Sequence, residues 1–280
     1  MFSLALFLAG CSSWTSLLRG AAEDGPPVEA RCAQPMDFSC WERVPEGDVW
    51  MGAQASDPAA PGYDPQAAPN EAPYRKAHVP AFWMYRTEIA AYVFKQCVNR
   101  GVCKESDVSL EGGYSTYLET ADHAALNTPI NSITWGGAQR LCSYLGGRLP
   151  TEAEWERAAR GDDGRIFPWG NDPGCGVRVP ENGPSDQLRD RTEMLRSECS
   201  KAGLQRVEID VGIGPFGVMG QAGNVWEWVE DPYGAERVQK GGGWTSDDPW
   251  DVRAATRGHM EENARSNDVG VRCVWGASKK

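Results

Sequence analysis

The chain has little positive charge. Its 280 residues carry 28 Lys and Arg against 39 Asp and Glu, for a formal net charge of -11. Phosphate is bound by clustered cations, so neither nucleic acid nor an anionic lipid surface is expected as a partner. Histidine is equally scarce: His78, His123 and His259 stand far apart and share no motif. Metal-ligating histidines come with recognisable spacing, so these three are read as unrelated. No pair of cysteines has the C-x-x-C spacing of zinc or thioredoxin-like sites. Ser246, His259 and Asp251 lack the nucleophile elbow that a hydrolytic triad needs around its serine. No apolar run is long enough to cross a bilayer, and no internal repeat is visible.

What the chain does have is Gly 32, Pro 19 and Trp 12. That combination predicts a loop-rich domain, with turns set by Gly and Pro and large aromatics in the core. Nine cysteines point to an oxidising compartment. The apolar start Met1 to Gly10 ends in Leu8-Ala9-Gly10-Cys11. This string resembles the lipobox of bacterial lipoproteins, in which the cysteine is acylated and becomes the new N-terminus. The expected organisation is a signal over 1–11, a flexible tether over 12–30 and one domain over 31–276. Anchoring would be by lipid alone, in the bacterial cell envelope, and Ser12 favours the outer membrane. With Cys11 lipidated, eight cysteines remain for four bridges.

The spacing predicts strands at Val49–Gly52 and Val79–Tyr85 and a helix over Glu88–Asn99. Cys97 and Cys103 are placed for a local bridge at the end of that helix. Cys32 with Cys40 would close a short loop, and Cys175 with Cys199 would staple the long charged stretch from Asp172 to Val207. A second helix runs from Thr134 or Trp135 to Leu145. A third reaches Arg160, with Pro150 at its start and Thr151 and Glu154 spaced as a capping box. Its apolar face is Ala153, Trp155, Ala158 and Ala159, and its charges lie close enough for helical ion pairs.

Four strings follow in one order: Gly147-Arg148-Leu149-Pro150-Thr151-Glu152-Ala153-Glu154-Trp155-Glu156; Phe167-Pro168-Trp169-Gly170; Gly223-Asn224-Val225-Trp226-Glu227-Trp228; and Lys240-Gly241-Gly242-Gly243-Trp244, with Gly270-Val271-Arg272-Cys273 after it. Together they resemble the formylglycine-generating enzyme family, also called the sulfatase-modifying factor domain, from about Val49 to Trp275. The resemblance implies a single α+β domain of elaborated C-type-lectin-like architecture. It also implies a bridge between Cys142 and Cys273. A second bridge of some members falls on Ala159 and Thr256, where both cysteines are absent.

Active members of that family oxidise a sulfatase cysteine with dioxygen, using copper(I) held by two cysteines. Those positions fall here on Ser246 and Asp251, and the family's serine falls on Gly243. No cysteine lies between Cys199 and Cys273. A hydroxyl and a carboxylate do not replace two thiolates for copper(I), so no copper is expected. The family's structural calcium is implied at Gly223, Val225 and Glu227, with Gly220 standing where another oxygen ligand would be. The other reading of Glu227 is a buried carboxylate paired with an arginine such as Arg272.

Two functions follow from the resemblance. The first is a non-catalytic envelope lipoprotein that binds a peptide, a glycan or another envelope protein, or serves as a subunit of an envelope complex. Its candidate cleft is Trp226, Trp244, Ser246, Asp247, Asp248, Trp250, Asp251 and Arg253. The second is a divergent oxidoreductase acting on a protein cysteine with altered metal ligands.

Overall fold

In the computed structural model, residues 25–27, 30, 40–60, 62–110, 115–117, 127–171, 207, 212–246 and 249–276 are described. Among them are nine strands and three α-helices. Strands β1 (Trp41–Val44), β4 (Phe82–Tyr85) and β9 (Val274–Trp275) form one antiparallel sheet. Strands β2 (Gly47–Met51) and β3 (Arg75–Val79) form a two-stranded ribbon. The third sheet runs β7-β6-β5-β8, from Arg257–Met260 through Glu236–Lys240 and Trp226–Tyr233 to Val269–Gly270, with β5 and β8 parallel.

The apolar run Val79–Tyr85 is thus two strands in two sheets. Pro80 lies between them, and a residue without an N–H cannot continue a ladder. Helix α1 is Ala91–Asn99, beginning later than its periodicity suggests. Ile89 is held outside it, donating its N–H to the Val271 carbonyl and accepting from Ile130 N–H, 2.9 and 2.8 Å away. Helix α2 is Trp135–Tyr144, and its Thr134 cap accepts the Gly137 N–H. Helix α3 is Glu152–Arg160, and its capping box forms as its spacing predicts. Pro150 lies just outside α3, where its carbonyl accepts the Glu230 N–H at 2.8 Å.

Two cores result. One joins α1 and α2 to Ile130, Ile133, Trp228 and Val271. The other lies under α3, where Trp155, Ala158 and Ala159 meet Val49, Met84, Val229, Val238 and Val274. Two disulfides are described: Cys97–Cys103 at the end of α1, and Cys142–Cys273 in the first core. Cys40 is bridged as well, to a partner outside the described residues. Cys11, Cys32, Cys175 and Cys199 also lie outside them. The tail of the expected tether packs on the domain: Pro26 is buried, and Gly25 lies against the Trp83 indole.

Helix α3 departs from the amphipathic expectation. Glu152, Glu154, Glu156, Arg157 and Arg160 are buried along with its apolar residues. Buried charges need partners, and the helix finds them on three sides. Arg148 binds Glu154 at 2.6 and 2.8 Å. Glu156 accepts from the Gly52 N–H, Arg160 and Lys240. Arg257 and Lys240 share Glu152. These pairs fix the sheet that carries the candidate site against the helix.

Candidate functional site

The site is assembled on the loop entering β5 and the glycine run leaving β6. Asn224 sits at φ 63°, a left-handed conformation that Asn tolerates better than most residues. Its backbone carbonyl accepts the Trp244 N–H at 2.7 Å, and its amide donates to Glu88 Oε1 at 3.0 Å. The Gly223 N–H reaches the Gly241 carbonyl at 2.7 Å. The glycine run passes so close to its neighbours that side chains do not fit. A Cβ on Gly243 would lie 2.8 Å from the Trp226 ring, and one on Gly242 would lie 2.7 Å from Val252. A serine at Gly243, as in the active family pattern, would require the Trp226 ring to move.

Beyond that run, Ser246 is buried. Its hydroxyl accepts the Gly243 N–H at 3.2 Å, and its own N–H returns to the Gly243 carbonyl at 3.0 Å. Trp226 and Trp244 are half-buried, and the Trp244 indole donates to the Asn267 carbonyl at 3.0 Å. Trp250 and Asp251 belong to a short 3-10 turn over Pro249–Val252. Asp251 is exposed, and Trp250 leans on Phe167 with ring centroids 5.8 Å apart. Trp226, Trp244 and Ser246 are therefore brought together, with Asp251 on the neighbouring turn. Asp247 and Asp248 lie outside the described residues. Arg253 is not a cleft residue. It is buried, donating to Glu71 at 2.6 and 2.8 Å and to Asp64 at 2.7 Å.

Behind this wall lies a buried charge cluster. Arg272 donates to both oxygens of Glu227 at 2.7 to 3.0 Å and to the carbonyls of Tyr85, Arg86 and Met219 at 2.7 to 3.0 Å. The Trp155 indole adds a 2.6 Å hydrogen bond to Glu227 Oε2. Glu227 therefore has the geometry of the arginine-paired carboxylate. The ligand set Gly223, Val225 and Glu227 does not suit a divalent cation here. Its one carboxylate is filled by a guanidinium and an indole, and hard cations need free oxygens. A Cβ on Gly220 would lie 2.7 Å from Glu88 Oε2, so the side chain absent there has no room.

Glu88 is the second buried acid, and no motif announces it. Burial pushes its carboxyl up to about 7, Glu227 adds to the rise, and Arg272 opposes it. Asp64 and Glu71, which hold Arg253, are likewise unmarked in the sequence, because their partner lies more than 180 residues away.

The sulfatase-modifying factor enzyme 1-like domain matches residues 33–277. An inactive C-alpha-formylglycine-generating enzyme 2 of Bos taurus is 32% identical over 171 residues, covering 55% of this chain and 52% of that protein. The chain thus spans about half the length of that relative. The formylglycine-generating enzyme of Mus musculus is 25% identical over 313 residues, covering 91% of this chain and 80% of that protein. Among solved structures, PvdO from Pseudomonas aeruginosa superposes with a TM-score of 0.57 at 17% identity, covering 89% of this chain and 98% of PvdO. CarF gives 0.52 at 17%, covering 85% and 98%. These two likenesses establish the fold. With the domain match running through the helix, loop and strands that build the site, this chain belongs to the sulfatase-modifying factor family, whose members include formylglycine-generating enzymes and inactive relatives.

Proposed function

We propose that this chain is a non-catalytic family member, a lipid-anchored envelope protein that uses the scaffold to bind a peptide, a glycan or a partner protein. One observation carries the reading. Every cysteine among the described residues is in a disulfide, and the two positions that the family resemblance assigns to the copper-binding pair are Ser246 and Asp251, a hydroxyl and a carboxylate. Neither group is a soft ligand for copper(I), and neither forms a mixed disulfide with a substrate cysteine. The Ser246 hydroxyl is moreover turned inward to the Gly243 N–H rather than presented as a nucleophile.

The rest of the cleft suits binding. Trp226 and Trp244 are partly open aromatics, the Trp244 indole held by the Asn267 carbonyl, and Asp251 on the following turn is an exposed carboxylate. Aromatic side chains with a few placed polar groups are a common lining of ligand sites.

The test uses a cysteine-bearing sulfatase peptide incubated with the full chain, copper(I), oxygen and a thiol reductant. Mass spectrometry is expected to find the cysteine intact. Formylglycine on the peptide would overturn the reading in favour of the oxidoreductase. The anchor is tested separately: a clickable palmitate analogue should label the chain in a bacterial host and fail to label Cys11→Ser. Label retained in that variant would remove the lipid anchor from the proposal.

A further inference from the structure

A cavity of about 230 Å³ opens between the loop ending at Asp64, the C-terminal end of α3 with the turn after it, and Ala255. It shares no lining residue with Trp226, Trp244, Ser246 or Asp251. Tyr63, Asp64, Arg160, Ile166, Asn171 and Ala255 lie in its wall.

The polar groups of that wall are only partly used. Asp64 is 3% exposed, and its carboxylate accepts from the Gln66 N–H at 2.9 Å and from Arg253 at 2.7 Å. A carboxylate has further lone pairs to offer. Arg160 donates Nε to the Arg165 carbonyl, Nη1 to the Gly52 carbonyl and Glu156, and Nη2 to the Gly164 carbonyl. One Nη2 proton is left without a partner among the described residues. Asn171 Oδ1 accepts the Ile166 N–H at 2.9 Å, and its Nδ2 has no partner among the described residues. Acceptor, guanidinium and amide thus stand beside a tyrosine ring that is 36% exposed and beside the half-buried Ile166.

Charge narrows the ligand. Arg160 in the wall opposes a cation. Asp64 opposes an anion, and Arg160 has its own charge matched by Glu156 at 3.1 Å. What remains is a neutral molecule with donors and acceptors on its edge and an apolar face for Tyr63. The volume is below the roughly 300–1,000 Å³ of drug-sized pockets, so it admits one ring rather than a chain. The Tyr63–Asp64 side of the wall is tied down, with the Gln54 N–H on the Gly62 carbonyl at 3.0 Å and the Asp64 N–H on the Gln54 carbonyl at 2.9 Å. Gln54 ties its loop through Ser56 N–H, Asp57 N–H and the Asp57 carbonyl, and Arg253 clamps Asp64 to Glu71. Preformed walls spare a small ligand the cost of ordering them.

We propose that this cavity binds one ring of a neutral saccharide. Asp64, Arg160 and Asn171 take adjacent hydroxyls, and Tyr63 stacks on the C–H face of the ring. The site goes beyond the cleft described above and stands or falls apart from it.

Saturation-transfer NMR on the full chain tests this, with methyl glycosides of glucose, galactose, mannose and N-acetylglucosamine, and with blocked Asn and Gln amides as the peptide comparison. At least one glycoside is expected to receive transfer, and the blocked amides none. Tyr63→Ala and Asn171→Ala should each weaken its Kd about tenfold, the worth of one lost contact. Both side chains are at the surface, so an unchanged Tm would confirm that each variant is folded. Transfer to no glycoside, equal binding by the folded variants, or transfer to the blocked amides alone would overturn the proposal. None of those outcomes touches the formylglycine assay.

Discussion

Lys240 Nζ lies 3.0 Å from Glu156 Oε1, and the two side chains are 0% and 1% exposed. Lys240 also reaches Glu152 at 3.4 Å and the Ala255 carbonyl at 3.2 Å, so one ammonium joins α3, β6 and the segment after the cleft turn. Breaking a buried pair leaves an uncompensated charge, which costs more than the pair itself contributes. Lys240→Ala should lower unfolding free energy by about 3–5 kcal/mol in urea. Burial pushes the Glu156 carboxyl up, but Lys240 and Arg160 outweigh it and hold it below the usual range. A depressed carboxylate stabilises the fold above its unfolded value, and that contribution fades as pH falls through the folded one. The Lys240→Ala deficit should therefore shrink as pH falls below the usual carboxylate range, and a deficit that stays constant would show that the Glu156 charge is not what Lys240 stabilises.

Glu88 works in the opposite sense. Its carboxyl rises from 4.5 to about 7, first because it is buried. Between those values the unfolded chain loses a proton that the folded chain keeps, so stability drops as pH rises. Glu88→Gln removes this term while keeping an acceptor for the Asn224 amide. The variant should gain on the parent by on the order of 1–3 kcal/mol between about pH 5 and pH 8 in paired denaturation curves. Parallel curves at the two pH values would mean that Glu88 is ionised throughout.

Local signals were enough where both partners of a contact lie within a few residues, but not for the split of Val79–Tyr85 or the start of α1. Thr151 and Glu154 announce the start of α3 because a capping box is a contact between residues three apart. Cys97 and Cys103 announce their bridge for the same reason. The resemblance added what spacing does not reach: the Cys142–Cys273 bridge, 131 residues apart in the chain. Other features were hidden because their causes are distant in sequence. The charges of α3 look like a solvated face until Gly52, Lys240 and Arg257 are brought to them. Arg253 was placed in the cleft, but its side chain is buried: its Nε holds the Trp250 carbonyl and its two Nη groups take the carboxylates of Asp64 and Glu71. The string Gly270-Val271-Arg272-Cys273 leaves β8 at Gly270, and Arg272 turns into the interior before β9 begins at Val274.

The occupied carboxylate of Glu227 sets an expectation for metal removal. Calcium that coordinated this residue would have to displace Arg272 or Trp155 from it. A ligand that binds only the folded state raises stability in proportion to the logarithm of its saturation. Dialysis against EDTA should therefore leave Tm within about 1 °C of the value in millimolar calcium, since a shift of roughly 2–4 °C per kcal/mol in a domain of this size would expose binding worth more than about half a kcal/mol. A calcium-dependent rise beyond that would show that Arg272 yields Glu227 to the ion.

The two described disulfides should contribute unequally. Cys97–Cys103 closes a separation of 6 residues, whereas Cys142–Cys273 closes one of 131. On the chain-entropy account the short loop contributes about 2 kcal/mol and the long one about 5 kcal/mol. Cys142 and Cys273 are both wholly buried, and their bridge ties α2 to the segment between β8 and β9 that carries Arg272. Replacing that pair by alanine should therefore lower stability by about twice as much as replacing Cys97 and Cys103. It should also loosen the Arg272–Glu227 pair, so amide exchange at Glu227 and Trp228 should quicken in the first variant and not in the second. Equal losses, or exchange that quickens only at the end of α1, would show that the long bridge is not what holds the wall of the site.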